Sequence, residues 1–241
     1  MSEPYAEDNL LDRLSDEHTL ELHYDRIRER ERELLVGRLG LNGGRVLSVG
    51  CGWHPGRHLF PKPAWHMTGV ELEQSWIDLL VQGGDLDDGF VGRGGELDRL
   101  SDGSFDVVLY RLVLHHIAYQ GSLAPALAEA ARLLGPGGTL VAVEPGSWHP
   151  VGAALGLANR AGLGTRLHGT PDDIPLSPRR LDAEARAAGL VPELHAVTYS
   201  WRRLPPPAQR VAQRLDVPLG SRRRTARFGH TLLLLARRPP Y

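Results

Sequence analysis

Apolar residues along this chain recur at two spacings, and the changes of spacing mark its elements. Over residues 16–39, Leu20, Tyr24, Ile27, Leu34, Leu35 and Leu39 recur at helical intervals among Glu and Arg, which predicts an amphipathic helix. Within it Glu29, Glu31 and Glu33 alternate with Arg28, Arg30 and Arg32, a pattern expected of a solvated face. Gly40 and the Asn42-Gly43-Gly44 run end the helix. Val46, Leu47 and Val49 then open a short strand that breaks into Gly50-Cys51-Gly52 and Trp53-His54-Pro55-Gly56. Glycines there let a ligand approach main-chain N–H groups, and a strand entering such a turn and then a helix N-terminus is how α/β sheets hold nucleotides.

A second strand is predicted over Trp65 to Glu71, followed by a helix with Ser75 as N-cap and Trp76, Ile77, Leu79 and Leu80 on its apolar side. A third strand near Phe90 and Val91 is weakly marked, a fourth over Phe105 to Tyr110 strongly so. Residues 122–134 read as an Ala/Leu-rich helix closed by Gly135-Pro136-Gly137-Gly138, and Thr139 to Val143 as a fifth strand ending at Glu144-Pro145. Residues 146–176, rich in Gly and Pro, carry His149, His168 and Asp172-Asp173. Ser177-Pro178 starts a helix with Leu181 and Ala185 that ends at Gly189. Leu194 to Trp201 and Phe228 to Ala236 read as the final strands, with an Arg/Pro insertion over 202–227 expected to cap one edge. Strands alternating with helices predict a parallel α/β sheet with crossover helices on both faces.

Composition narrows the class. The 241 residues, 41% of them hydrophobic, suit one large domain with appended caps. No apolar run approaches the roughly 20 residues of a membrane span, and the polar, acidic stretch from Ser2 to Asp12 is not a secretory signal, so a cytoplasmic protein without membrane contact is expected. The single cysteine, Cys51, rules out an intrachain disulfide and a multi-cysteine metal site, and no carboxylate cluster suggests a metal. Charge is uneven: residues 1–40 hold eleven acids and six Arg, residues 201–241 ten Arg and only Asp216 as an acid. That basic tail has three candidate partners: an anionic substrate, nucleic acid, or the chain's own acidic N-terminal helix.

Candidate chemistry sits where strands end, because parallel sheets bind ligands beyond their carboxyl edge. Gly50 and Gly52 follow the first strand, Glu71 ends the second, Glu96 and Asp98 follow the third, and Tyr110 and Arg111 end the fourth. Glu71 lies 21 positions after Gly50, the spacing at which a carboxylate accepts both ribose hydroxyls of a nucleoside. The order VLSVGCG, TGVELE, SDGSFDVVLYRLVLHHI and RLLGPGGTLVAVEP resembles the class I S-adenosylmethionine-dependent methyltransferases of the small-molecule branch, over residues 16–145 and more weakly over 177–200. The resemblance implies a Rossmann-like, seven-stranded, mostly parallel sheet with the last strand antiparallel and an N-terminal helical lid. The expected division is a lid over 1–44 and a methyltransferase domain over 45–241, with substrate caps near 146–176 and 202–227.

The resemblance further implies S-adenosyl-L-methionine as cofactor. Gly50, Cys51 and Gly52 would face its methionine part, Glu71 with Leu72 would take the ribose end, Glu96 and Leu97 would flank adenine, and the chain at Tyr110-Arg111 would border the methyl group. The chain departs from the family at Ser48, where an acid usually anchors the cofactor's ammonium, and at Trp53-His54-Pro55, which displaces the third loop glycine to Gly56. An NAD(P) site fits less well, because Pro55, Pro61 and Pro63 interrupt the helix such a site leads into.

His115, His116 and His149 lie near the ligand end, with His116 and His149 the candidate catalytic bases and Tyr24 a residue able to close over the cofactor. No Asn/Asp-Pro-Pro-aromatic turn follows the fourth strand, so the expected acceptor is a small molecule methylated on O, N or C, with Trp148 and Trp201 suiting an apolar one. The expected protein has no nucleic-acid partner and is a candidate homodimer. Two rivals stand beside this reading. One is an enzyme of the same fold that binds the cofactor but catalyses cyclisation. The other is an RNA methyltransferase using Arg202 to Arg227.

Overall fold

The computed structural model describes residues 17–40, 42–168 and 170–240; the acidic stretch from Ser2 to Asp12 and the start of the first helix at residue 16 lie outside them, as does the His168 side chain. Seven strands form one sheet: β1 (Gly44–Val49), β2 (Trp65–Glu71), β3 (Asp88–Val91), β4 (Phe105–Arg111), β5 (Leu134–Pro145), β6 (Val191–Thr198) and β7 (Thr231–Arg237). Their order is β3-β2-β1-β4-β5-β7-β6, and β7 runs antiparallel to both its neighbours while the other pairs are parallel. The order reverses between β1 and β4, which opens a crevice at their carboxyl ends. These strands are near-continuous apolar runs because both faces are covered: Val46, Leu47 and Val49, then Val107 to Tyr110, are all buried.

Alternate residues feed two cores. Leu47, Val49, Val108 and Tyr110 join a layer with α4 (Ala124–Leu133) and α7 (Pro178–Ala187), whose Leu127, Leu133, Leu181 and Ala185 are buried there. Val46, Val107, Leu109 and Val141 join the other with α1 (Glu17–Leu39) and α2 (Gln74–Gln82). In α1 the buried stripe is His23, Ile27, Arg30, Glu31, Leu34 and Leu35. Arg30 and Glu31 therefore face inward, and the solvated face expected from the charge alternation excludes them; helical spacing puts residue 31 on the stripe of Ile27, Leu34 and Leu35.

Other elements also differ from the sequence expectation. Ser75 lies inside α2, whose N-cap is Glu73 without a side-chain cap bond. No helix joins β1 to β2. The segment 50–64 is held instead by Arg57, which donates to Asp87 (2.7 Å), to the Asp85 carbonyl (2.8 Å) and to the carbonyls of Phe60 and Trp65. Residues 146–176 contain two helices, α5 (Pro150–Arg160) and α6 (Gly164–His168), and α3 (Leu114–Gln120) follows β4. The 202–227 insertion folds into α8 (Pro206–Gln213) and α9 (Asp216–Gly220), then a 3-10 turn at Ala226–Phe228.

The insertion is tied to α1 and β6 through fully buried Asp216, which accepts from the Tyr199 N–H (2.9 Å) while its carbonyl accepts from Arg30 (3.2 Å). Of the ten basic-tail arginines, Arg202 donates to Tyr24 of α1 (2.5 Å) and Arg237 to the Arg38 carbonyl. Burial raises the Asp216 carboxyl to about 6, against the opposing help of the Tyr199 N–H and the Arg30 charge. A raised acid favours the fold fully below its unfolded value of 3.8, and that contribution is lost as pH climbs through about 6. Asp216→Asn is therefore expected to gain about 3 kcal/mol relative to the parent between pH 3.5 and pH 7, read by urea denaturation at both pH values.

Candidate active site

The crevice between β1, β2 and β4 is built mainly from backbone. Gly50 adopts φ +64, and a Cβ there would come within 2.7 Å of Val113, so only glycine lets β1 turn beneath the β4 end. The Gly52 N–H donates to Glu71 (2.9 Å), which also accepts from the Leu72 N–H (2.7 Å), and a Cβ on Gly52 would meet nothing closer than 4.0 Å. The acid ending β2 is thus tied to the turn ending β1, with open space beside them. Cys51 is buried in the turn; burial, with the Glu71 charge, pushes its thiol up to about 12, which leaves it inert. Ser48 donates to the Pro55 carbonyl (2.9 Å) and so pins the Trp53-His54-Pro55 wedge. Trp53 is 75% exposed and stacks on Trp76 with ring centroids 4.6 Å apart.

Glu96 is exposed, while Leu97 is buried with its N–H on Glu129 of α4 (3.2 Å). Tyr110 points into the core, its hydroxyl donating to the Ala126 carbonyl (3.0 Å), and burial raises its phenol; only its backbone faces the crevice. Leu112, just past the β4 end, takes φ +60, a conformation costly for a branched residue and held by a bond from its N–H to the Val143 carbonyl (2.8 Å). Exposed Leu72 and Leu112 give the crevice apolar surface of the kind an adenosine needs, and Glu71 gives a carboxylate for its ribose, so the residues fit S-adenosylmethionine.

Glu144, at the end of β5, sets the turn that carries Leu112. Its wholly buried carboxylate accepts from the N–H groups of Val113 (2.9 Å), Leu114 (2.8 Å) and His115 (3.3 Å), and from His115 Nδ1 (2.6 Å). His115 Nε2 lies 3.5 Å from Asp173. Burial lowers the His115 pKa, but the Glu144 carboxylate, aided by Asp173 and Asp172, outweighs it and raises it. Its neighbour His116 stacks on it (centroids 4.0 Å apart) and sets Nδ1 2.9 Å from Asp172.

Beside the crevice lies a cavity of about 260 Å³. Its walls come from α1 (His23, Tyr24, Glu31), the β4 end (Arg111, Leu112, His116), the 146–176 segment (Leu155, Asp173, Pro175) and the insertion (Trp201, Arg202, Arg203), with His230 at the start of β7. Burial lowers His23 to about 4 and His230 to about 3, the latter aided by His149, His23 and Arg202, so both are neutral imidazoles near pH 7. His149 stands behind His230 (centroids 5.1 Å apart), with Nε2 on the Tyr199 carbonyl (3.2 Å) and Nδ1 accepting from the Val151 N–H (3.3 Å). It caps α5 and is not among the residues that wall the cavity. Trp148 packs on Phe228 instead of facing the cavity.

At the edge shared by crevice and cavity, Glu31 is wholly buried and pairs with Arg111 through two contacts of 3.2 Å and with His58 at 2.9 Å. Burial alone would raise its pKa; Arg111 and His58 outweigh that and hold it below the ordinary value. Sequence reasoning missed Glu31, His23, His230 and the turn-holding role of Glu144, although the helical stripe of α1 marks residue 31.

A doubly wound sheet whose β2 ends on a carboxylate bonded to a glycine turn, with its crevice at the β1–β4 switch, has the architecture of class I S-adenosylmethionine-dependent methyltransferases. Residues 47–142 match the family described as methyltransferase domain. Among solved structures it is similar to an S-adenosylmethionine-dependent methyltransferase, possible histamine N-methyltransferase, from Thermotoga maritima (TM-score 0.63, 18% identity, 90% of this chain and 95% of that one). It is also similar to a methyltransferase of Haloferax volcanii in complex with a methyltransferase activator (0.62, 19%, 97% and 100%). A third is the cyclase SpnF (0.58, 21%, 87% and 80%). At such identities the likeness is one of fold. No curated protein matches the sequence. Among the described residues no helix is long and apolar enough to cross a membrane.

Replacing Glu144 tests the turn. Glu144→Ala is expected to cost about 3–5 kcal/mol, because it strands three buried N–H donors and the His115 ring nitrogen without their acceptor. In Glu144→Gln burial dominates, and the His115 midpoint followed by NMR is expected to move from above 6.5 to below it.

Proposed function

We propose that this enzyme methylates a small molecule held in the cavity beside the cofactor crevice. The observation that carries the reading is that Arg111, which ends the strand bordering the crevice, and Leu112, which follows it, line a cavity of about 260 Å³, the size of a small molecule and too small for a folded RNA. The three segments expected to hold the acceptor, the N-terminal helix, 146–176 and the Arg-rich insertion, all contribute walls. In this reading the first 44 residues act as a lid and 45–241 as the catalytic domain with its two caps. Gly50, Cys51 and Gly52 offer backbone to the methionine part, Glu71 and Leu72 hold the ribose end, Glu96 and Leu97 flank adenine, and the backbone of Tyr110 and Arg111 borders the reacting centre.

When bound, S-adenosylmethionine supplies an electrophilic methyl group on a sulfonium. The chain's part is then chiefly to hold the nucleophile in line and at close range, which the rigid turn at Leu112 and the walls of α1 provide. For an acceptor that loses a proton, His116 is the base: it lines the cavity, and Asp172 at 2.9 Å orients Nδ1 and leaves Nε2 for the acceptor. His149 serves as a positioning residue, its two nitrogens held by backbone while its ring supports His230. The neutral imidazoles and Trp201 suit an uncharged, partly aromatic acceptor. Localisation in the cytoplasm accords with the single, buried and unreactive thiol.

A second reading, cyclisation with the cofactor bound but not consumed, is favoured by the likeness to SpnF. Incubation of the protein with methyl-labelled cofactor and a small-molecule extract of its source separates the two. Label in a product of low molecular mass is expected, and turnover of extract components without label supports cyclisation instead. Glu71→Ala is expected to weaken S-adenosylhomocysteine binding about tenfold or more in calorimetry, since two ribose hydroxyls lose a charged acceptor. His116→Ala is expected to lower kcat about 10²-fold or more for a proton-losing acceptor while binding of S-adenosylhomocysteine stays unchanged.

A further inference from the structure

The Glu31 carboxylate is out of place on grounds of stability alone. It occupies an apolar stripe between Ile27 and Leu34, is wholly buried, and joins two distant segments, Arg111 at the β4 end and His58 beyond the glycine turn. Replacing a buried ion pair by a well-packed apolar residue is commonly neutral or stabilising, so fold stability does not call for an acid here. Nor is the pairing tight: both Arg111 contacts are 3.2 Å, whereas charge-assisted bonds run near 2.7–2.9 Å.

The position of the pair suggests what it is for. The other polar groups at the strand ends have other partners: Ser48 bonds the Pro55 carbonyl, Glu144 the 113–115 turn, and Glu71 the Gly52 and Leu72 N–H groups at the ribose end. Arginines crowd this end, with Arg111 and Arg28 both acting on His54 after burial. Glu31 is the carboxylate set among them in the cavity wall. The cofactor's amino-acid group is a zwitterion, an ammonium and a carboxylate on one carbon, and its complement is one acid and one guanidinium side by side.

We propose that Glu31 and Arg111 together seat the amino-acid end of the cofactor, Glu31 accepting from its ammonium and Arg111 donating to its carboxylate. In the free protein each residue stands in for the ligand charge the other will meet. The helix that walls the acceptor cavity thereby also recognises the cofactor, in the role that Ser48 leaves open. This inference rests on the reading of the β1–β4 crevice as the cofactor site.

Two ligands isolate the amino-acid end. S-adenosylhomocysteine carries it, while 5′-methylthioadenosine has the same nucleoside and sulfur without it. By calorimetry on the full chain, Glu31→Gln and Arg111→Gln are each expected to weaken S-adenosylhomocysteine at least about tenfold and to leave 5′-methylthioadenosine within about twofold. The double variant Glu31→Leu/Arg111→Met, which replaces both charges of the pair by apolar groups, is expected to keep or raise the melting temperature yet show the same selective loss. An equal weakening of both ligands in these variants, or no change in either, overturns the proposal. If the parent protein binds neither ligand, the cofactor site itself is refuted, a result distinct from failure of the Glu31–Arg111 seat alone.

Discussion

Glu144 is the hinge on which the ligand end of this sheet turns. A single carboxylate at the end of β5 gathers three consecutive N–H groups and the His115 ring from the segment after β4. A helix as short as α3 has little stability of its own, and its start is anchored through this contact with a neighbouring strand. The left-handed conformation at Leu112 survives because both its flanks are fixed, by the Val143 carbonyl on one side and the Glu144 cluster on the other. Arg111, one residue earlier, is thereby aimed at α1 and Glu31, so the polar chemistry of the cavity rim follows from that anchored turn.

The sheet was the most legible part of the sequence. β2 and β4 carry continuous apolar runs bounded by turn residues, and their observed limits differ from the expected ones by at most one residue. The place of Glu71 at the end of β2, beside the glycine turn, was legible because its spacing from Gly50 is a property of one strand-turn-strand unit. What stayed hidden depends on contacts between distant segments. Glu31 and Arg30 read as solvent-facing because alternating charge normally means exposure, yet Arg111 and Asp216, far along the chain, make their burial tolerable. The α5 and α6 helices were obscured by glycines and prolines; Pro150 in fact starts α5, where its missing N–H costs nothing. His149 drew notice as a potential base, but its nitrogens are spent on backbone, which no sequence pattern records.

The first helix plays two parts that are usually separate. Its Ile27, Leu34 and Leu35 belong to the same core as Val107 and Val141, so it is integral to the sheet's packing. Its His23, Tyr24, Ile27 and Glu31 line the cavity from the same buried stripe. Any displacement that opens the cavity therefore costs core contacts. This couples access for the acceptor to the stability of the layer over β1 and β4.

Cys51 gives the molecule an intrinsic clock. The chain has a single thiol, it lies under the glycine turn, and in the closed state it is neutral and sheltered. Alkylation at moderate pH must wait for that turn to lift, so the rate of thiol modification counts openings of the loop directly, without a label and without knowledge of the acceptor.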